Sequence, residues 1–135
     1  MTEPADSAAV WDDLKQLVRN VVEEMNRLED LRIRTGGLDY QLSATDSIVV
    51  TKQSLPSMTI TISRRPDALE VERILGCGAE SVEAREILAT GIEESGPAFR
   101  NDAGAVFTVV ETVYYLLRPF LHLNCVAGLT AARPE

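Results

Sequence analysis

Ser57-Met58-Thr59-Ile60-Thr61-Ile62-Ser63 decides the fold class. Met58, Ile60 and Ile62 alternate with hydroxyl side chains, and this period of two gives an extended chain one apolar and one polar face. Strands buried in a parallel sheet read as continuous apolar runs, so one polar face indicates an antiparallel sheet. Arg64-Arg65-Pro66-Asp67 closes the run with turn-forming residues.

The same period extends to both sides. Upstream, Leu38, Tyr40, Leu42 and Ala44 alternate with Asp39, Gln41, Ser43 and Thr45, and 47–52 is rich in β-branched residues. The short Thr45-Asp46 link suits a tight hairpin, and Leu55-Pro56 breaks the second run. Downstream, 69–75 places Leu69 and Val71 opposite Glu70 and Glu72. The stretch 79–96 fits two readings. Ser81 as cap, Ala84, Ile87 and Leu88 at helical spacing and Gly91 as stop suit a short helix, whereas Arg85, Ile87, Ala89 and Gly91 suit one side of a long strand. The strand is preferred. Asn101-Asp102-Ala103-Gly104 then reads as a hairpin turn between two short runs.

Helical periodicity brackets this meander. In 7–34, Trp11, Val18 and Met25 are spaced by seven, as are Leu14, Val21 and Leu28, giving an amphipathic helix. Asp6 or Ser7 is the expected N-cap and Gly36-Gly37 the expected stop. Val10, Leu17, Val22 and Leu31 widen the stripe until two surfaces are needed to cover it. Near the C-terminus, Thr108 and Glu111 have capping-box spacing, so a second helix starts near Val109, with Val110, Val113, Tyr114, Leu117 and Leu121 as its apolar stripe. Pro119 either kinks that helix near Tyr115 or ends its regular part at Leu117. The expected fold is therefore α+β: an N-terminal helix, an antiparallel meander of about five or six strands and a C-terminal helix, in two layers. Residues 1–126 form the expected single domain and 127–135 a loose tail.

Composition narrows the function classes. The 135 residues include 21 acidic and 13 basic side chains, a formal charge of −8, which opposes a nucleic-acid binder held by phosphate contacts. The charge is uneven: 67–100 holds eight acids against three bases, while 38–66 holds two against three. Glu3 and Asp6 stand where a secretory leader needs a basic segment, and 103–123 is interrupted by Glu111 and Arg118, so a soluble cytoplasmic protein with no membrane partner is expected. Cys77 and Cys125 match neither a disulfide framework nor a C-x-x-C site and are read as free thiols.

No constellation carries recognisable catalysis. Gly76-Cys77-Gly78-Ala79-Glu80-Ser81 resembles a phosphate-cradling turn, but Ser81 replaces the third glycine and no βαβ pattern surrounds it. His122 and Cys125 supply at most half a zinc site, and no second pair completes it, so no metal and no cofactor is expected. The acid pairs Glu70/Glu72, Glu83/Glu86 and Glu93/Glu94 suit solvated faces, and the Arg64-Arg65 doublet suits a turn. Two function classes follow. One is a non-enzymatic interaction module, an adaptor or small acidic chaperone-like protein, associating as a homodimer or with another protein through Trp11, Leu14, Leu17 and Val18 on the first helix and Thr59 and Thr61 on the sheet. The other is a small-ligand pocket between the sheet and the last helix, where Tyr115, Arg118 and His122 share one helical face.

Overall fold

The structure, a computed structural model, describes residues 3–121 apart from 45, 55, 78, 79 and 95. Two helical segments, α1 (Glu3–Arg27) and α2 (Glu29–Thr35), precede seven strands. These are β1 (Leu38–Ala44), β2 (Ser47–Lys52), β3 (Ser57–Arg65), β4 (Ala68–Cys77), β5 (Glu80–Glu93), β6 (Gly96–Arg100) and β7 (Val106–Thr108). Helix α3 (Val109–Leu117) and a 3₁₀ turn, Arg118–Leu121, follow. The strands form one antiparallel sheet in sequence order, so the α+β meander holds, with seven strands rather than five or six. His122, Cys125 and the proposed tail at 127–135 lie outside the described residues.

Register explains why 80–93 is a strand. Its first ten residues pair one-for-one with β4, from Cys77↔Glu80 to Ala68↔Ala89, and its end pairs with β6, Gly91 opposite Ala98. Backbone pairing with β4 along 80–89, continued by β6 along 89–93, outweighs the helical propensity of Ala84, Ile87 and Leu88. Ser81 and Gly91, which resemble a helix cap and stop, are ladder residues. Cys77 ends β4 opposite Glu80 of the antiparallel β5, so a strand follows here and not the helix that a phosphate cradle requires.

One face of the sheet is apolar. Ile48, Val50, Met58, Ile60, Ile62, Val71 and Leu88 are buried there against Trp11, Leu14, Val18, Val22 and Met25 of α1 and Val113, Leu116 and Leu117 of α3. Burial of this kind contributes about 25 cal/mol per Å² of apolar surface, so this layer dominates stability. The heptad template holds through Met25, but Leu28 is 45% exposed. A straight helix on a sheet keeps 3.6 residues per turn, so its stripe drifts away from a 3.5-residue repeat and brings Val10 and Val22 inward. The predicted single helix breaks at Leu28, whose φ of −76° and ψ of 122° are extended. α1 also starts earlier than expected, at Glu3, which places Asp6 and Ser7 inside it rather than at its cap. Pro4 suits that first turn because the N–H it lacks has no intrahelical acceptor.

The ends of α2 and α3 follow the sequence signals. Gly36 closes α2 in the left-handed region (φ 74°) and donates its N–H to Arg32 O at 2.7 Å. Thr108 and Glu111 form the reciprocal capping box at the start of α3. The regular helix ends at Leu117, and Pro119 lies in the 3₁₀ turn, as the second of the two proline readings requires. The apolar stripe of α3 is rotated, however. Val110 and Tyr114 are 49% and 55% exposed, while Thr112, Val113, Leu116, Leu117 and Phe120 are buried. Thr112 can point inward because its hydroxyl donates to Thr108 O at 2.7 Å, leaving no unsatisfied donor.

Candidate functional site

Covering the apolar sheet face with α1 and α3 leaves the other face open. Among the described residues no helix packs on the outer side of β2–β5. Along β2, and along β3 as far as Ser63, the buried and half-buried positions alternate without interruption. Ser47, Val49, Thr51, Ser57, Thr59, Thr61 and Ser63 therefore all point outward, and none carries a charge. Pairing aligns them into rows: Thr61 sits between Val49 and Glu72, and Thr59 between Thr51 and Ile74. The Ser47 and Ser63 hydroxyls lie 3.0 Å apart across the ladder. Two exposed isoleucines, Ile74 (40%) and Ile87 (43%), extend the surface onto β4 and β5.

Charges on the β4–β5 part of this face are paired along the surface. Arg65 bonds Glu70, Arg85 Nε lies 3.5 Å from Glu70, and Arg85 Nη2 lies 3.0 Å from Glu72. The hydrogen bond from Arg65 holds the Glu70 carboxyl below the usual carboxylate range, with Arg65 and Arg85 charges adding to the effect against burial. Bonds to Glu72 and the charges of both glutamates push the Arg85 pKa up. Exposed pairs of this kind contribute little to stability, about 0–1 kcal/mol each, but they hold long side chains flat against the ladder.

The outermost strands are short or partly capped, whereas among the described residues the β6 side of β5 is unpaired from Glu80 to Leu88. Asn26 of α1 donates from Nδ2 to Leu38 O and accepts from Leu38 N, both at 2.8 Å. The amide thus occupies the place an incoming strand would take at the start of β1. A register shift between Leu42 and Ala44 disturbs the other end, and the opposite edge, β7, has three residues.

The helix side holds a polar cluster that the sequence reading missed. Arg73 and Glu86 occupy inward positions, in phase with Val71 and Leu88, and form an ion pair at 3.1 Å with side chains 18% exposed. Tyr115 of α3 donates its hydroxyl to the second oxygen of Glu86 at 2.5 Å and stacks on Phe107 at 4.7 Å between ring centroids. Burial, followed by the bond to Glu86 and its charge, raises the Tyr115 pKa. The Arg73 guanidinium lies 5.8 Å from the Tyr115 ring centre, and its Nε is buried without a hydrogen bond. The signal was present in the sequence: a charge interrupts the apolar phase of two successive strands, once with each sign. Glu83 and Glu86, read as a solvated pair, point to opposite faces of β5 because their separation is odd.

Each proposed site residue can now be placed. Trp11, Leu14 and Val18 are 4%, 0% and 0% exposed, all in the core of their own chain, and Leu17 packs partly against it. α3 lies beside α1 and, with the sheet, covers the wide stripe that seemed to need a second surface. Thr59 and Thr61 are on the open face. Tyr115 is committed to Glu86 and Phe107, Arg118 is exposed at the end of α3, and His122 lies outside the described residues. A depression bounded by Trp11, Arg64, Arg65, Leu69 and Phe99 has room for about one water. The Arg64-Arg65 doublet lies at the β3–β4 turn, where Arg64 N donates to Asp46 O at 2.8 Å.

At the other end of the sheet, Lys52 is 4% exposed on the helix side. Its ammonium donates to Ser54 O (2.9 Å), Ser54 Oγ (3.2 Å) and Pro56 O (2.6 Å), and burial lowers its pKa. Ser54 Oγ in turn donates to Thr35 O at 3.2 Å, tying the end of α2 to the β2–β3 connection. All three ammonium donors are used, which marks a structural lysine rather than a free nucleophile.

Among the described residues no cluster of His, Cys, Asp and Glu has metal-site geometry, and no helix is long and apolar enough to cross a membrane. Comparison with protein-family models, with curated proteins and with solved structures gives no match to this chain.

Proposed function

We propose that the protein is a non-enzymatic protein–protein interaction module whose docking surface is the open face of β2–β5. One observation carries the reading: in a chain of formal charge −8, the outward positions of β2, and of β3 as far as Ser63, are uncharged and built from Ser, Thr and Val. A solvated face ordinarily carries long charged side chains. Short β-branched hydroxyl residues leave ladder and methyl groups accessible and lose little side-chain entropy on being covered. The small-ligand alternative has less support, because Tyr115, its central residue, already has its hydroxyl bonded to Glu86 and its ring stacked on Phe107. A cytoplasmic location belongs to the same proposal and rests on the wide spacing of Cys77 and Cys125 in the sequence.

The test compares three forms of the full chain as bait: the native sequence, Thr59→Arg with Thr61→Arg, and Tyr114→Ala on the opposite side. The docking reading expects bound protein to be lost from the double variant and retained by Tyr114→Ala, with circular dichroism showing all three folded. Retention by the double variant refutes it.

A further inference from the structure

We infer that the occupant of this face is a second copy of the chain, so that two sheets stack face to face with their helices outward; the inference rests on the docking reading above. Three features of the face favour a copy over a foreign partner. First, each chain carries −8, so two copies repel unless they approach through a surface where charge is nearly balanced. The outer side of β2–β5 meets that condition. Arg65 and Arg85 stand against Glu70, Glu72 and Glu83, an excess of one acid, whereas α1 carries six acids against three bases. A basic partner would be drawn to α1, and a neutral, mixed-sign face suits an identical one.

Second, hydroxyl groups both donate and accept, so rows of Ser and Thr are complementary to themselves. The Ser47–Ser63 contact at 3.0 Å shows such pairing already within one ladder. Under a two-fold axis perpendicular to the strands between the Thr61 and Thr59 rows, Thr61 faces Thr59 of the partner copy. Arg85 then faces Glu83, because each pair occupies neighbouring rows of one strand. Third, the area suffices. Four strands at about 4.8 Å spacing and about 25 Å of shared length give about 500 Å² per copy, hence about 1,000 Å² in the pair, the lower bound of a specific interface. Sheets stacked this way lie about 10 Å apart with strands within about 30° of each other.

Sedimentation equilibrium of the full chain tests the inference. The native chain should be dimeric at about 50 µM, and Thr61→Arg should raise the dissociation constant at least about tenfold. Thr61→Glu should do the same, and mixing the two variants should restore a dimer, because only a face that meets its own copy brings these charges together. Thr51→Arg, in the neighbouring strand, serves in place of Thr61→Arg should that variant fail to fold. A monomeric native chain overturns the inference, as does a dimer unaffected by the folded variants. A monomer whose protein capture is still abolished by Thr59→Arg with Thr61→Arg removes the second copy and leaves the docking surface in place. A dimer insensitive to those substitutions, with capture equally insensitive, removes both.

Discussion

Replacing Tyr115 by Phe deletes one oxygen and keeps the ring stacked on Phe107, which removes the hydrogen bond to Glu86 together with the contact to Asn101. Glu86 would keep Arg73 at 3.1 Å but lose the partner of its second oxygen. A hydrogen bond to a charged group contributes about 1.5–3 kcal/mol, and the 18% exposure of the Glu86 side chain lets water recover part of the loss. The expected cost is therefore about 1.5–2 kcal/mol. With an m-value of about 1.5–2 kcal/mol per M, this lowers the urea midpoint by about 1 M. Tyr114→Phe is the control: that ring is 55% exposed, and its change should stay within about 0.5 kcal/mol. A double-mutant cycle with Glu86→Gln should give a coupling of at least about 1 kcal/mol. High pH supplies a second readout. The Tyr115 pKa is raised in the folded state, so its contribution is complete below the unfolded value of about 10 and is lost as pH rises through the folded one. A cost below about 0.5 kcal/mol together with no coupling would refute the argument that this cluster seats α3 on the sheet.

Three other outcomes follow from the same geometry. Gly36→Ala should destabilise by at least about 1 kcal/mol in a thermal melt, because φ is 74° and a Cβ would meet Ser54 Oγ at 2.6 Å. Asn26→Ala removes both 2.8 Å bonds to Leu38 and opens the β1 edge, so light scattering should show concentration-dependent assemblies larger than those of the native chain. Glu70 should titrate below ordinary carboxylates by NMR. Its contribution is present above the unfolded pKa of about 4.3 and is lost as pH falls through the lower folded one, and Arg65→Gln should move that titration back up.

Strands were legible wherever alternation ran free of interruption. Met58, Ile60 and Ile62 needed no partner to be assigned inward, because a period of two admits one inside face. The caps at Gly36 and Thr108 were equally legible, since both depend on residues within four positions. Three assignments were beyond local pattern. The inward side of α3 is set by what lies beneath it: the stripe through Val110 and Tyr114 is as regular as the one through Val113 and Leu117, but only the second meets the sheet and α1. Leu28 left the core because the stripe of a straight helix drifts from a seven-residue repeat and the helix breaks at that residue. Arg73 and Glu86 read as surface charges until the ladder placed them beside each other beneath Tyr115.

For the candidate surface the division is similar. The sequence identified Thr59 and Thr61 as polar positions of a strand in a nearly neutral segment. It could not say whether another layer covers them, because period-two alternation separates two faces without stating what lies on either. Trp11, Leu14 and Val18 show the converse, an apolar stripe that could serve a partner or the chain itself. By itself, then, the sequence determined the class of element at nearly every position, because backbone sterics and hydrophobic period act over a few residues. Only the tertiary structure decided which apolar stripes are buried within the chain, which edges are closed and which face is left open, because burial depends on elements that are distant in sequence.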